Sequence, residues 1–218
     1  MVYVYALDLE KLKEPKDYPQ IFESLPEYRK KKIESFRNPN GRRESFGAGI
    51  LLQMVCRRHG RSDQEILEGE HGKPEIEGFY FNLSHSGNMV LCVVSESPVG
   101  CDIEKIETPT LKIAKRFFTE NENIYLDHFE ENEKAEEFFR LWTMKEAYVK
   151  MTGEGLTCSL KDFEIQIDDE IQIYRDQILQ SCCVKEYSVS GYKVSVCATE
   201  HNFADDIVYL ELENESCI

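Results

Sequence analysis

The chain has 218 residues, 41% of them hydrophobic, and a formal net charge of −15. That is enough apolar material for one substantial core or two small linked ones, and 12 Phe with 11 Tyr argue against disorder. No apolar run approaches the ~20 residues that cross a bilayer, so no membrane role is expected.

The N-terminal stretch lacks the basic and cleavage regions of a secretory signal. Eight cysteines occur without a CxxC pair or zinc-like Cys/His spacing, which fits a reduced, cytoplasmic protein. Charge is uneven along the chain. Residues 26–61 carry ten Lys/Arg against three acids, a basic island in an otherwise acidic protein. Such an island suits an anionic ligand or a solvated helix face. The acidic remainder would repel a polyanion, so nucleic acid is not expected.

In chain order, Val2 to Leu9 alternates as a strand. Ser24-Leu25-Pro26-Glu27 has the pattern of a capping box, predicting a helix to about Phe36. Asn38-Pro39-Asn40-Gly41 reads as a turn, and Arg42 to His59 as a second helix burying Phe46, Ile50, Leu51, Met54 and Val55. From Phe79 the pattern is β: 79–84, 89–95 and 99–104. Residues 110–118 read as a helix, with Thr119 as N-cap of the next. Ala135 to Met151 lacks Gly and Pro and is a strong helix, ended by Gly153 and Gly155. Short strands follow, with a hairpin at Ser190-Gly191. The expected class is α+β, helices preceding strands in each half.

Three segments can carry chemistry. In Gly100-Cys101-Asp102-Ile103-Glu104 a strand places both acids on one face, Cα atoms about 6.6 Å apart. Two carboxylates so placed attract a hard cation such as Mg²⁺, although a solvated edge strand has the same pattern. Trp142, Glu146 and Lys150 repeat at i, i+4 and i+8 and share one helix face. Asn82-Leu83-Ser84-His85-Ser86-Gly87 offers hydroxyls and a His at a strand end, suited to phosphate oxygens or to an ordinary tight connection. The phosphate loop, dinucleotide, esterase-elbow and HExxH patterns are all missing.

Taken together, HGKP (71–74), FNLSHSG (81–87), GCDIEKIE (100–107), AKRFFTENE (114–122), WTMKEAYVKMTGEGL (142–156) and GYKVSVCA (191–198) resemble the 4′-phosphopantetheinyl transferases of the surfactin-synthetase-activating type. The resemblance implies two pseudo-symmetric α+β halves, here 1–101 and 102–218, with the active site in the cleft between them, in a monomer. It implies Mg-dependent transfer of the 4′-phosphopantetheine arm from coenzyme A to a serine of an apo carrier protein, releasing adenosine 3′,5′-bisphosphate. Mn²⁺ is a possible substitute.

The resemblance assigns the metal to Asp102, Glu104 and Glu146. It assigns catalysis to Glu146, Lys150 and Glu122, with Glu122 and Glu146 both open as the base. Coenzyme A contacts fall on Lys31, Arg43, Gly72, Lys73, Pro74, Ser84, His85 and Lys150. Tyr28 stands where relatives place a lysine, and Cys101 replaces an aliphatic residue. A carrier dock is expected around Leu111, Lys112, Ile113, Lys115 and Phe117. A non-catalytic coenzyme A or carrier-binding module and a Mg-dependent coenzyme A hydrolase are the alternatives.

Overall fold

A computed structural model describes residues 1–68, 74–108 and 111–212. Its first half opens with strand β1 (Tyr3–Asp8) and helices α1 (Pro19–Ser24), α2 (Glu27–Ser35) and α3 (Pro39–Arg58). The short pair β2 (Leu67–Glu68) and β3 (Pro74–Glu75) precedes the hairpin of β4 (Tyr80–Ser86) and β5 (Met89–Ser95). The second half begins with β6 (Val99–Lys105) and helices α4 (Leu111–Phe117), α5 (Glu120–Asp127) and α6 (Glu131–Thr152). Strands β7 (Phe163–Ile167), β8 (Ile171–Arg175), β9 (Ile178–Leu179), β10 (Cys183–Val189), β11 (Tyr192–Ala198) and β12 (Val208–Tyr209) complete it.

Two sheets organise the fold, in the orders β12-β1-β5-β4 and β10-β11-β6. Helix α3 lies on the first sheet and α6 on the second, so each half repeats one long helix across one sheet. The fold is α+β, as expected. Alternation then gives each sheet a second apolar face. Val4, Leu91 and Val93 of the first sheet and Cys101, Ile103 and Val196 of the second belong to one buried cluster. The two halves therefore share a core.

Several local expectations shift. Ser24 ends α1 and donates to the Ile21 carbonyl, leaving α2 with Pro26 as N-cap and no side-chain cap. Asn38-Pro39 is the start of α3: Asn38 accepts from Gly41 N at 2.6 Å, and Pro39 sits where a missing N–H costs nothing. The expected boundary at 101/102 falls inside β6, which pairs along its length with β11. The Ser97-Pro98 bend lies just before β6. The chain also returns at its end to the first half, where β12 pairs in parallel with β1.

Candidate active site

Gly100 decides how close α6 can come to β6. A Cβ there would stand 2.2 Å from the Ala147 carbonyl oxygen and 2.3 Å from Met151 N. Glycine lets the helix backbone rest on the strand, which no larger residue allows. The strand period then places Gly100, Asp102 and Glu104 on the helix side, while Cys101 and Ile103 are fully buried between the sheets. The helix period turns Trp142, Glu146 and Lys150 toward the same place. Helix α6 holds its course because it contains no Gly or Pro until Gly153 closes it in the left-handed conformation, φ 77°.

These side chains, with Leu83, Ser84 and His85 of β4, line a cleft of 350 Å³. Lys150 Nζ lies 2.6 Å from Asp102 Oδ1 and 3.1 Å from Ser84 Oγ. Asp102 is buried, and its other oxygen, Oδ2, has no hydrogen-bond partner. Burial, and then the charge of Asp102, push Glu104 up to about 7. The same two causes raise Glu146. Burial opposes the charge on Lys150, but Asp102, Cys101 and Glu146 together outweigh it and the pKa rises.

Glu104 and Glu146, together with an Asp102 that keeps an orphaned buried oxygen, form an oxygen-only donor set that fits a hard cation. Among the described residues, no three His, Cys, Asp or Glu side chains already form a ready-made metal-binding group.

The joint between the halves runs through this cleft. Strands β4 and β6 lie side by side without a backbone ladder. Instead, Asn82 Oδ1, Ser84 Oγ and Ser86 Oγ accept from the N–H groups of Cys101, Ile103 and Lys105, at 3.0, 3.4 and 3.1 Å.

A second pocket of 130 Å³ adjoins the cleft through Leu83 and His85 and is lined by Arg29, Lys32, Ser45 and Pro74. Arg29 is only 4% exposed, and its Nε and the Ser45 hydroxyl are buried without partners. Buried donors with nothing to bond are suited to an anion. His85 is held neutral, its pKa lowered by burial and then by Lys150, Lys32 and Arg29.

The matching family model is the 4′-phosphopantetheinyl transferase superfamily, over residues 98–197. The 4′-phosphopantetheinyl transferase Sfp of Bacillus subtilis is 33% identical over 196 residues, covering 86% of this chain and 88% of its own. The chain belongs to the 4′-phosphopantetheinyl transferase family. A 4′-phosphopantetheinyl transferase of Bacillus pumilus is 34% identical, covering 80% of this chain and 78% of its own. That of Aneurinibacillus migulanus is 38% identical, covering 72% and 68%.

As a phosphopantetheinyl transferase, the chain brings together Asp102, Glu104, Glu146, Lys150, Ser84, His85 and Pro74 of the expected site residues. Three others stand elsewhere. Lys31 is exposed on the outer side of α2, because the helix period turns Arg29 and Ile33 inward. Arg43 lines neither pocket; its Nη2 donates to Asn88 Oδ1 at 3.0 Å and its Nε is buried and unpaired.

Glu122 does not line the cleft. Its side chain is 0% exposed, and its Oε1 accepts from Lys145 Nζ at 2.5 Å and Ile165 N at 2.8 Å. Its Oε2 accepts from Thr119 N at 2.8 Å, closing the capping box of α5. Both oxygens are thus committed to main chain and lysine, and none is left for a reacting group. Gly72 and Lys73 lie outside the described residues. Arg29 and Lys32 are legible in the sequence only as members of the basic island and Ser45 not at all, although Arg29 at i−4 from the apolar Ile33 marks an arginine on a buried helical face.

Proposed function

We propose that this phosphopantetheinyl transferase takes the arm of coenzyme A and delivers it to a serine of an apo acyl or peptidyl carrier protein, with Mg²⁺ and release of adenosine 3′,5′-bisphosphate. One observation carries the reading: three acids and a lysine from β6 and α6 converge at the seam, next to a pocket of buried, unpaired donors. Acids beside an anion pocket are at cross purposes unless a cation joins them. Asp102, Glu104 and Glu146 would hold that ion together with substrate phosphate and water, the usual company of Mg²⁺. When bound, the ion neutralises diphosphate oxygens as a Lewis acid.

The chain's own residues do the rest. Arg29 and Ser45 offer their unpaired donors to a phosphate at the adenosine end, with Pro74 as an apolar wall. Neutral His85, at the junction of the two pockets, offers an N–H to the diphosphate. Lys150 stabilises charge on the leaving oxygen. The carrier serine oxygen bonds to the phosphorus that bears the pantetheine. The diphosphate P–O bond breaks, and its electron pair leaves with adenosine 3′,5′-bisphosphate.

The serine proton goes to Glu146, directly or through water. Its raised pKa brings it nearer to the working pH of a general base. Glu122, sealed in its own cluster, takes no part in that transfer.

The test is to incubate the protein with coenzyme A, Mg²⁺ and an apo carrier, and then weigh the carrier. A gain of one phosphopantetheinyl arm, with adenosine 3′,5′-bisphosphate in solution, is expected. An unmodified carrier with coenzyme A intact overturns the reading, and coenzyme A cleaved without carrier modification makes the protein a hydrolase.

A further inference from the structure

The hydroxyls of Ser84 and Ser86 are each held in one orientation. A serine hydroxyl has one proton and two lone pairs. Ser86 Oγ accepts from Lys105 N at 3.1 Å, and Ser84 Oγ accepts from Ile103 N at 3.4 Å and Lys150 Nζ at 3.1 Å. Each hydroxyl then spends its proton on an acid of β6. Ser84 Oγ stands 2.7 Å from Asp102 Oδ1, and Ser86 Oγ stands 2.7 Å from Glu104 Oε2. Strand β4 belongs to the first half and β6 to the second, so each hydrogen bond crosses the seam.

We propose that Ser84 and Ser86 are positioning residues: each hydroxyl, fixed by the main chain of β6, aims one oxygen of an acid and leaves the other directed toward the cation. The inference rests on the metal reading above. It removes Ser84 from the direct phosphate contacts, because its proton and both lone pairs are already engaged. It also links the two halves. The alignment of β4 with β6 sets where the acids point, so metal affinity depends on the seam.

Ser86 is the cleaner test, since Ser84 also touches Lys150. The variants are Ser86→Thr, which keeps the hydroxyl, and Ser86→Val, which has nearly the same shape without it. Titrate Mn²⁺ by calorimetry into each protein with coenzyme A present. Ser86→Thr should bind within a few-fold of the parent, and Ser86→Val should bind about tenfold more weakly, as for other partners of metal ligands. In the transfer assay, Ser86→Val should need correspondingly more metal for half-maximal rate and regain most of its kcat at saturation.

Equal Mn²⁺ binding by the parent and Ser86→Val overturns the positioning role. Equal weakening in Thr and Val also overturns it, since the cause is then packing. If the parent itself binds no Mn²⁺, the metal reading fails and the inference falls with it. That outcome is distinct from the first two.

Discussion

Helix α6 carries two lysine–carboxylate pairs five residues apart, and they are built to opposite ends. Lys145 pairs with Glu122 at 2.5 Å, both side chains 0% exposed. Lys145 Nζ also donates to the Phe163 carbonyl at 2.8 Å and lies 4.3 Å from the Phe163 ring centroid. Burial lowers the Lys145 pKa against the pull of Glu122, but every polar atom of the pair has a partner. Lys150 pairs with Asp102 at 2.6 Å, its side chain 27% exposed, in a cleft where one Asp102 oxygen is unpaired and two neighbouring acids have raised pKa values. The first pair is complete and locks α6 to α5 and β7. The second is open and still has a ligand to receive. Satisfied polar clusters specify structure, and unsatisfied ones indicate function.

The comparison breaks most clearly by a double dissociation. Asp102→Asn should cut carrier modification by about three orders of magnitude, the several kcal/mol that cation stabilisation contributes, and leave the melting temperature nearly in place. Lys145→Met should do the reverse. It leaves Glu122 as an uncompensated buried charge and should cost about 3–5 kcal/mol in denaturant unfolding. Activity per folded molecule should survive. Pairing it with Glu122→Leu should recover only part of that stability, because the lone charge is gone but Thr119 N and Ile165 N lose their acceptor. If Glu122→Leu/Lys145→Met folds well and has lost its kcat, Glu122 belongs to the chemistry after all.

The same contrast explains what the sequence made legible. Asp102 with Glu104, and Trp142 with Glu146 and Lys150, are readable because the periods of strand and helix place them on single faces. Thr119 was readable as an N-cap for the same local reason. Glu122 was not, since a charged letter carries no record of its burial, and its partners come from α6 and β7. The family resemblance points to Lys31, while the inward face of α2 presents Arg29 to the pocket. The role of Gly100 and the hydroxyl seam of Asn82, Ser84 and Ser86 depend on which elements become neighbours, and no local pattern encodes that.

Gly100→Ala probes the spacing that lets the open pair form. The added methyl overlaps the α6 backbone, which cannot yield as a side chain tip can. It should cost about 1–3 kcal/mol of stability, as overpacking does, and lower kcat further than the loss of folded protein accounts for. Arg29→Ala has a smaller reach. It empties the anion pocket and should raise the KM for coenzyme A by about tenfold, the scale of a charge-assisted hydrogen bond, while the KM for the carrier stays put. An unchanged coenzyme A KM would remove that pocket from the substrate path.

The smallest effect belongs to the surface beside the open pair. Lys112, Ile113 and Lys115 are exposed on α4, whereas Phe117, expected with them at the carrier dock, turns inward onto Trp142, ring centroids 5.8 Å apart. Trp142 lines the cleft, so α4 connects the outer surface to the site. Lys115→Glu should raise the carrier KM a few-fold, chiefly through a slower, salt-sensitive encounter, and leave the coenzyme A KM alone. Phe117→Ala should act differently, lowering kcat by loosening the Trp142 wall. If Lys115→Glu leaves the carrier KM unchanged at low salt, the carrier approaches from another side, and α4 then serves the site only from within, through Phe117.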